Sequence, residues 1–242
     1  MSRVFLGVGH GGSDPGAVAN GLRESDLNLH IALYCAEILE SHGVTVGMSR
    51  KRDENDPLSE EIRECNAFRP DLAIDIHNNA GGGTGSEIFY TIHGGKGKTL
   101  ATNIEKVYVA DGRKSRGIKT KVNKSGYDYF GFIRETSAPA IIVECAFVDS
   151  ADYKVIDEAH EQKKFGEYIA KGVLATLGIP YKGNTTPNTS NSSTTNSSNN
   201  TSSSNVLYRV IAGSFKTMDN AKKSVESLKK IGYDAFILEY RS

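Results

Sequence analysis

The stretch AIIVECAF, residues 140–147, decides how this sequence folds. Its run of apolar side chains is interrupted only by Glu144, which is typical of a strand that is covered on both faces at the centre of a parallel sheet. Neighbouring side chains of a strand point to opposite faces of the sheet. We therefore expect Glu144 to face a functional site and Cys145 to face the packed core.

Strand-like and helix-like segments alternate on both sides of this strand. Four more strands are predicted at RVFLGVG, VTVGMSR, DLAIDIH and SEIFYTI. Apolar residues at helical spacing predict four helices. The first runs from after Glu24 to Gly43, and the second has Asp56 as its N-cap, Pro57 as its first residue and its end near Phe68. The third includes Leu100, Ile104 and Val107, and the fourth runs from about Gln162 to Leu177. The alternation predicts an α/β fold with a twisted, mostly parallel sheet that is flanked by helices.

The overall composition excludes several classes of function. The chain has 242 residues, and Lys plus Arg equals Asp plus Glu at 29 each. This balance favours neither a nucleic-acid partner nor a polybasic membrane anchor. No apolar run approaches the roughly 20 residues that span a bilayer, and the N-terminus lacks the apolar region of a signal peptide. We expect synthesis in the cytoplasm without a signal peptide, and no membrane insertion.

The composition changes sharply at Asn184. From residue 184 to residue 205 every residue is Asn, Thr or Ser, apart from Pro187. Such a stretch offers no side chains for a core, so it predicts a flexible linker with a typical span of roughly 25–30 Å. The predicted domains are therefore a main domain at 1–180, a linker at 181–205 and a small C-terminal module at 206–242.

The C-terminal module reads as one βαβ-like unit. Strands are predicted at VLYRVIAGSF and DAFILEY, with an amphipathic helix from Asp219 to Ile231 between them. Ala221, Val225 and Leu228 form one face of this helix. Isolated domains below about 40 residues usually need help to fold. We expect this module to pack on the main domain, to pair with a second copy, or to be only marginally stable.

Three more residues that could carry chemistry stand at predicted element ends. His10 ends RVFLGVGH, His77 ends DLAIDIH, and Glu24 stands just ahead of the first long helix. Sites of parallel α/β sheets form beyond the carboxyl ends of the strands. Two neutral imidazoles and one carboxylate are a common ligand set of catalytic zinc, and a further carboxylate is the usual base. Together with Glu144 these residues favour a metal site, although each taken alone is more simply a surface or core residue.

Three further residues are candidates for supporting or substrate contacts. Asp75 lies two residues before His77 on the same strand face, where it can hydrogen-bond a ligand imidazole or make an ordinary bond at the core edge. Asn79 lies two residues after His77 in the same segment, and His93 follows a predicted strand. Both are candidates for support of the ligands or for contact with substrate.

Four sequence blocks carry a resemblance to a known family: GHGGSDPGAVANGLRESDLNL, DLAIDIHNNA, GSEIFY and SAPAIIVECAFVDS. In this order they resemble the signature blocks of zinc-dependent N-acetylmuramoyl-L-alanine amidases. The resemblance implies that His10, Glu24 and His77 bind one zinc ion and that Glu144 is the catalytic carboxylate. It also implies hydrolysis of the amide between N-acetylmuramic acid and the first L-alanine of the peptidoglycan stem peptide, and therefore lysis of the cell wall.

Two other functions remain open on this scaffold. One is a non-catalytic peptidoglycan-binding protein, and the other is a zinc peptidase that cleaves the stem peptide. The segment from Lys114 to Phe132 is rich in Lys, Gly and Tyr. We expect it to be a loop that lines the peptide groove or is merely solvated.

The tail YRVIAGSFKTMDNAKKSVESLKKIGYDAFI resembles the first half of a SPOR domain, a module that binds glycan strands stripped of stem peptides. Only one of the two usual βα repeats is present, and Ile211 stands where the family often has Gln. We therefore hypothesise that two tails pair to complete one fold, which would make a homodimer. Without a signal peptide, a wall hydrolase is expected to act after release, as a phage endolysin or as an autolysin that lyses the mother cell after sporulation.

Overall fold

A computed structural model describes residues 1–183 and 217–230 of the chain. The chain divides into two compact units, Met1–Tyr181 and Lys182–Ser242. The predicted linker from residue 184 onward and the two strands predicted in the C-terminal module lie outside the described residues. Over the part of the chain that the structure describes, no helix is both long enough and apolar enough to cross a membrane.

The first unit is built on a six-stranded sheet. In chain order its strands and one small hairpin are β1 (Arg3–Val8), the hairpin β2 (Val18–Ala19) and β3 (Leu22–Arg23), β4 (Thr45–Met48), β5 (Leu72–Asn79), β6 (Ser86–Tyr90), β7 (Ser115–Lys119) and β8 (Ala140–Phe147). The order across the sheet is β4-β1-β5-β8-β6-β7. Only the β6–β8 pair is antiparallel within this sheet, so the prediction of a mostly parallel sheet is confirmed.

Helices cover both faces of this sheet. They are α1 (Glu24–Ser41), α2 (Leu58–Phe68), α3 (Gly95–Ala110), α4 (Gly131–Glu135) and α5 (Ala159–Leu177), with a 3-10 helix at Ala151–Val155. Helices α1, α3 and α5 pack together on one face and contribute most of the apolar core. Helices α2 and α4 cover the other face with a smaller apolar cluster.

Strand alternation divides β5 and β8 between these two faces. In β5, Ile74 and Ile76 are fully buried in the main core, whereas Ala73 packs in the smaller cluster beneath α2 and α4. Asp75 and His77 share the face of Ala73 because side chains on one face recur at every second residue. Cys145 of β8 is 1% exposed and lies in the main core, as predicted. All three cysteines are free and buried, which is also as predicted.

Two local predictions are corrected by the structure. The segment from Lys114 to Phe132 contains β7 and the start of α4, so it is not simply a loop. Its strand was missed because SRGIK lies at the sheet edge and has neither an apolar run nor clear alternation. Helix α2 begins at Leu58, and Pro57 is its N-cap with an extended backbone (φ −66°, ψ 144°). Asp56 is therefore not the cap residue.

In the second unit, helix α6 spans Met218–Lys230, within one residue of the prediction. Ala221, Val225 and Leu228 are half-buried, whereas Asp219 and Lys222 are exposed. The predicted amphipathic face is therefore present on this helix.

Candidate metal centre

Three element ends bring two histidines and a glutamate together. His10 follows β1, Glu24 is the first residue of α1, and His77 lies near the end of β5. The Nε2 atom of His10 and the Nδ1 atom of His77 lie 3.3 and 3.0 Å from the same Oε1 atom of Glu24. The two imidazole rings meet edge to face, with their centroids 5.1 Å apart. The structure thus gathers the three predicted ligands into a group that could hold a metal ion.

The backbone around His10 aims its ring at Glu24. His10 has φ +63°, a left-handed conformation that is uncommon for a residue with a Cβ atom. Its Nδ1 atom lies 2.8 Å from Oδ2 of Asp14, which leaves Nε2 facing Glu24. Gly9 is required beside it, because a Cβ atom there would lie 2.1 Å from the His77 ring. Close approach of the β1 backbone to the His77 ring therefore requires glycine at position 9.

Glu24 is held as a carboxylate by four hydrogen-bond partners. Its Oε1 atom accepts from the backbone N–H of Asn78, and its Oε2 atom accepts from the N–H of Ala17. Burial acts to raise the pKa of Glu24, but hydrogen bonds with His10 and His77 outweigh burial and hold the pKa well below its usual range. Glu24 therefore carries its negative charge at any pH at which the protein would act.

Asp75 contacts the second histidine from the other side. Oδ2 of Asp75 lies 3.2 Å from Nε2 of His77, so the ring is held between Asp75 and Glu24. Burial acts to lower the pKa of His77, but the charge of Asp75 and the hydrogen bonds with Asp75 and Glu24 raise it well above its usual value. The hydrogen bond with Glu24 likewise raises the pKa of His10. Protonation of either ring competes with metal binding, so a metal ion would bind here more weakly as the pH falls.

The three donor atoms lie within 4.8 Å of one another, close enough to share one metal ion. A tetrahedral site with bonds of about 2.0–2.1 Å separates its ligand atoms by roughly 3.3 Å. The two nitrogen-to-oxygen distances around Glu24 are 3.3 and 3.0 Å. Two imidazoles and one carboxylate leave a fourth position open, which is typical of catalytic rather than structural metal sites. The residues present therefore fit a catalytic metal ion.

Glu144 lies beside this group on the neighbouring strand. It pairs with His77 in the register of β5 and β8, so both side chains lie on the same face of the sheet. Its Oε2 atom is buried without a hydrogen-bond partner. Burial raises the pKa of Glu144 to about 7. A carboxyl group that titrates near neutral pH can both accept and return a proton during a reaction.

A cleft of about 590 Å³ opens beside His10 and His77. Its polar wall includes His10, Asp14 and His77, and its apolar wall includes Leu58 and Phe130. Phe130 immediately precedes α4, and Leu58 begins α2, so the two helices on this face form the apolar side of the cleft. The cleft therefore offers a substrate both polar and apolar contacts.

Two of the weaker candidates, Asn79 and His93, are not hydrogen-bonded to the three predicted ligands among the described residues. The side-chain amide of Asn79 donates to Oε1 of Glu87 at 2.9 Å, and Glu87 pairs with Glu144 across β6 and β8. Asn79 thus orders Glu87. His93 is exposed and follows β6. Because β6 runs antiparallel to β8, β6 ends near the start of β8, whereas Glu144 lies towards the other end of β8. The structure does not bring His93 to the site, and no single-strand pattern reveals that β6 is reversed.

Several buried polar residues of this site were missed by the sequence analysis. Glu61 of α2 is 4% exposed and lies against Asp75, over Gly7, where a Cβ atom would meet its carboxylate at 2.0 Å. Burial and the Asp75 charge raise the pKa of Glu61 well above its usual value. Its position within the apolar stripe of Ile62 and Cys65 was a usable signal.

Arg50 and an asparagine pair were also missed. Arg50 is 2% exposed. The side-chain amide of Asn78 donates to Oδ1 of Asn28 at 2.9 Å, and the amide of Asn28 donates to the carbonyl of Gly9 at the same distance. No spacing rule marks these residues, because each partner comes from a different element.

Comparisons with known proteins agree with this geometry. The family model described as N-acetylmuramoyl-L-alanine amidase matches residues 4–175, and the SPOR domain model matches residues 180–239. Both predicted resemblances are confirmed. The SPOR match begins before the Asn/Ser/Thr-rich stretch and takes in the whole of it.

Individual relatives show the same likeness. The sporulation-specific N-acetylmuramoyl-L-alanine amidase of Bacillus subtilis (strain 168) is 32% identical over 244 residues, which cover 98% of this chain and 85% of the relative. The endolysin of Bacillus phage SPP1 is 33% identical over 195 residues, which cover 76% of this chain and 69% of the relative. The solved catalytic domain of CwlV, an N-acetylmuramoyl-L-alanine amidase from Bacillus (Paenibacillus) polymyxa var. colistinus, aligns with a TM-score of 0.67 and 26% identity over 74% of this chain and 100% of that chain. The chain therefore belongs to the N-acetylmuramoyl-L-alanine amidase family.

Proposed function

We propose that this protein hydrolyses the amide bond between N-acetylmuramic acid and L-alanine in peptidoglycan and thereby lyses cell walls. The observation that carries this proposal is the convergence of His10 and His77 on one oxygen of Glu24. Glu144 stands beside them with an unpartnered buried oxygen. In a chain of this family, such a group is the expected machinery for cleaving an amide.

The metal we propose is zinc, held by His10, Glu24 and His77. Two imidazoles and a carboxylate with one open position are a ligand set that catalytic zinc favours. When bound, zinc supplies a Lewis acid that polarises the scissile carbonyl and acidifies a water molecule. Asp75 orients the imidazole of His77 from behind, as carboxylates commonly do for ligand histidines.

Proton transfer falls to Glu144. Its buried carboxylate accepts a proton from the attacking water and returns a proton to the leaving amine. Its pKa of about 7 allows both roles near neutral pH. A positioned acid–base group of this kind contributes about 10²–10⁴-fold to rate. This division of roles requires neither a serine nor a cysteine nucleophile, and the three cysteines are buried free thiols.

Purified Gram-positive cell walls provide the test. We expect the protein to clear a wall suspension, to lose this activity on chelation and to regain it when zinc is returned. The new amino termini should be L-alanine. New termini within the stem peptide would instead identify a peptidase. A zinc-loaded, folded protein that clears no wall would contradict the proposal and favour a non-catalytic binding protein.

Two histidine variants, one at a proposed ligand and one at an exposed position, provide a matched comparison. His77→Ala should lose both bound zinc and wall clearing. His160→Ala, an exposed position on α5, should keep both. If His77→Ala retained zinc at the wild-type level, the ligand assignment would be wrong.

For the C-terminal module, we propose binding of peptidoglycan glycan strands or pairing of two copies into a homodimer. The SPOR match over residues 180–239 and the amphipathic face of α6 support this proposal. Sedimentation at micromolar concentration tests the dimer, and pull-down on walls stripped of stem peptides tests glycan binding. Synthesis in the cytoplasm and action on the wall after release, as in an endolysin or a mother-cell autolysin, stay predictions.

A further inference from the structure

We propose that Arg50 is a positioning residue of the metal centre, which holds His10 and Glu24 in their ligand geometry before any metal binds. This proposal rests on the proposed function. It adds that Arg50 holds the backbone next to His10 and Glu24 in place.

The side chain of Arg50 joins three backbone segments. It lies two residues beyond β4 and is 2% exposed. Its Nε atom donates to the carbonyl of Val8 at 3.0 Å. Its Nη2 atom donates to the carbonyls of Gly9 and Ser25, at 3.3 and 2.7 Å, and Nη1 donates to the carbonyl of Arg52 at 3.2 Å. A single planar group thus connects the end of β1, the start of α1 and the segment after β4.

Two of these carbonyls adjoin the proposed ligands. Gly9 precedes His10, and Ser25 follows Glu24. Between the two ligands the chain makes a long excursion through the β2–β3 hairpin. Because Arg50 binds the backbone on both sides of this excursion, it fixes the distance between the two ligand-bearing segments independently of a metal.

The strained backbone of His10 indicates the same role. A residue with a Cβ atom stays at φ +63° only where its surroundings over-determine that conformation. The carbonyl of Gly9 shares a peptide plane with the N–H of His10, and it accepts hydrogen bonds from both Arg50 and Asn28. Because φ of His10 describes rotation relative to this peptide plane, holding the plane in place helps to fix φ. The guanidinium therefore reaches the ligand through the backbone.

The shape of the guanidinium matters more than its charge in this contact. Each of the four hydrogen bonds ends on a main-chain carbonyl, and their directions require the planar fork of an arginine. Lysine keeps the positive charge but presents a single point of donation. Arg50→Lys is therefore expected to fail to replace Arg50, although it preserves the charge.

The experiment uses the full chain with Arg50→Lys, Arg50→Met and a control, Arg113→Lys. The side chain of Arg113 is 16% exposed and binds the Tyr168 hydroxyl and Glu161 on the helical face away from the site. Circular dichroism and thermal unfolding establish that each variant folds. Zinc affinity is then measured by competition with a chelator, together with wall clearing at saturating zinc.

We expect both Arg50 variants to bind zinc about 10–100-fold more weakly than the wild type, the range typical of residues that support metal ligands. Arg113→Lys should lower the unfolding temperature without changing zinc affinity. A folded Arg50→Lys protein with wild-type zinc affinity would overturn the inference. Failure of both Arg50 variants to fold would also overturn it, because Arg50 would then support the whole fold. If the wild type itself bound no zinc, the proposed function would fail instead.

Discussion

The two faces of the central sheet are built from the same strands and have opposite chemistry. On the face covered by α1, α3 and α5, β5 and β8 place Ile74, Ile76, Val143 and Cys145, each at most 1% exposed. On the face covered by α2 and α4, the intervening positions hold Asp75, His77 and Glu144. In β8, the core residue Val143 directly precedes Glu144, the proposed catalytic carboxylate.

The apolar face of the sheet offsets the free-energy cost of the buried polar groups on the site face. Buried polar atoms without partners destabilise a fold. Oε2 of Glu144 is such an atom on the site face, where Asp75 and Glu61 also bring two buried carboxyl groups together. The apolar face stabilises the same strands by about 25 cal/mol for each Å² of apolar surface that it buries. Changes on the site face should therefore alter function, and changes on the packed face should alter stability.

The largest effect is expected at Glu144. Glu144→Gln removes the proposed proton-transferring group and should lower wall-clearing turnover by about 10²–10⁴-fold. Zinc content should stay at the wild-type level, because Glu144 is not among the proposed ligands. The control is Glu37→Gln at an exposed position of α1, which should keep full turnover. Turnover within twofold of wild type in Glu144→Gln would remove Glu144 from the mechanism.

On the packed face of the sheet we expect a mutation to lower stability and to leave activity unchanged. Ile74→Ala leaves a cavity in the main core and should lower the free energy of unfolding by about 2–5 kcal/mol. Activity per folded molecule should be unchanged, because the side chain does not reach the site face. Urea unfolding and wall clearing measured on the same sample check both statements. A large loss of turnover in a protein that is still folded would show that the two faces are not separable.

A smaller effect on metal binding is expected at Asp75. Asp75→Asn weakens the hydrogen bond that orients His77 and should lower zinc affinity about 10–100-fold. Loss of its charge relieves the repulsion with the buried carboxyl of Glu61 but removes the attraction to protonated His77, so the free energy of unfolding should change little. Chelator competition and urea unfolding measure the two quantities, with the exposed Asp157→Asn as control. Unchanged zinc affinity would make Asp75 a structural residue only.

The most modest effect is a pH dependence of stability in the metal-free protein. Burial raises the pKa of folded Glu144 to about 7, whereas the unfolded side chain titrates near 4.5. Between these values the folded state binds more protons than the unfolded state, so this group makes stability fall as pH rises. Glu144→Gln removes that loss. The stability of the variant relative to wild type should therefore grow from about pH 4.5 to pH 7 and then level off.

Urea unfolding at four pH values across this range checks the pH prediction. A difference between variant and wild type that stays constant with pH would show that Glu144 titrates normally in the folded protein.

The sequence by itself determined five of the six strands of the main sheet, the faces of β5 and β8, and the four central residues. Strand alternation separated Glu144 from Cys145, and the ends of predicted strands and helices marked His10, Glu24 and His77. These signals are local, because the direction of a side chain depends on its neighbours along one strand or helix. The four blocks of the family resemblance were readable for the same reason, since each lies within a short continuous segment.

Only the tertiary structure decided which elements meet. The order β1-β5-β8 places His10, His77 and Glu144 side by side, and the reversed direction of β6 carries His93 away from them. Arg50 and Glu61 acquire their roles from carbonyls and carboxylates contributed by other elements. The same holds for the raised pKa of Glu144, because burial is produced by packing across the whole unit and has no counterpart in a local sequence pattern.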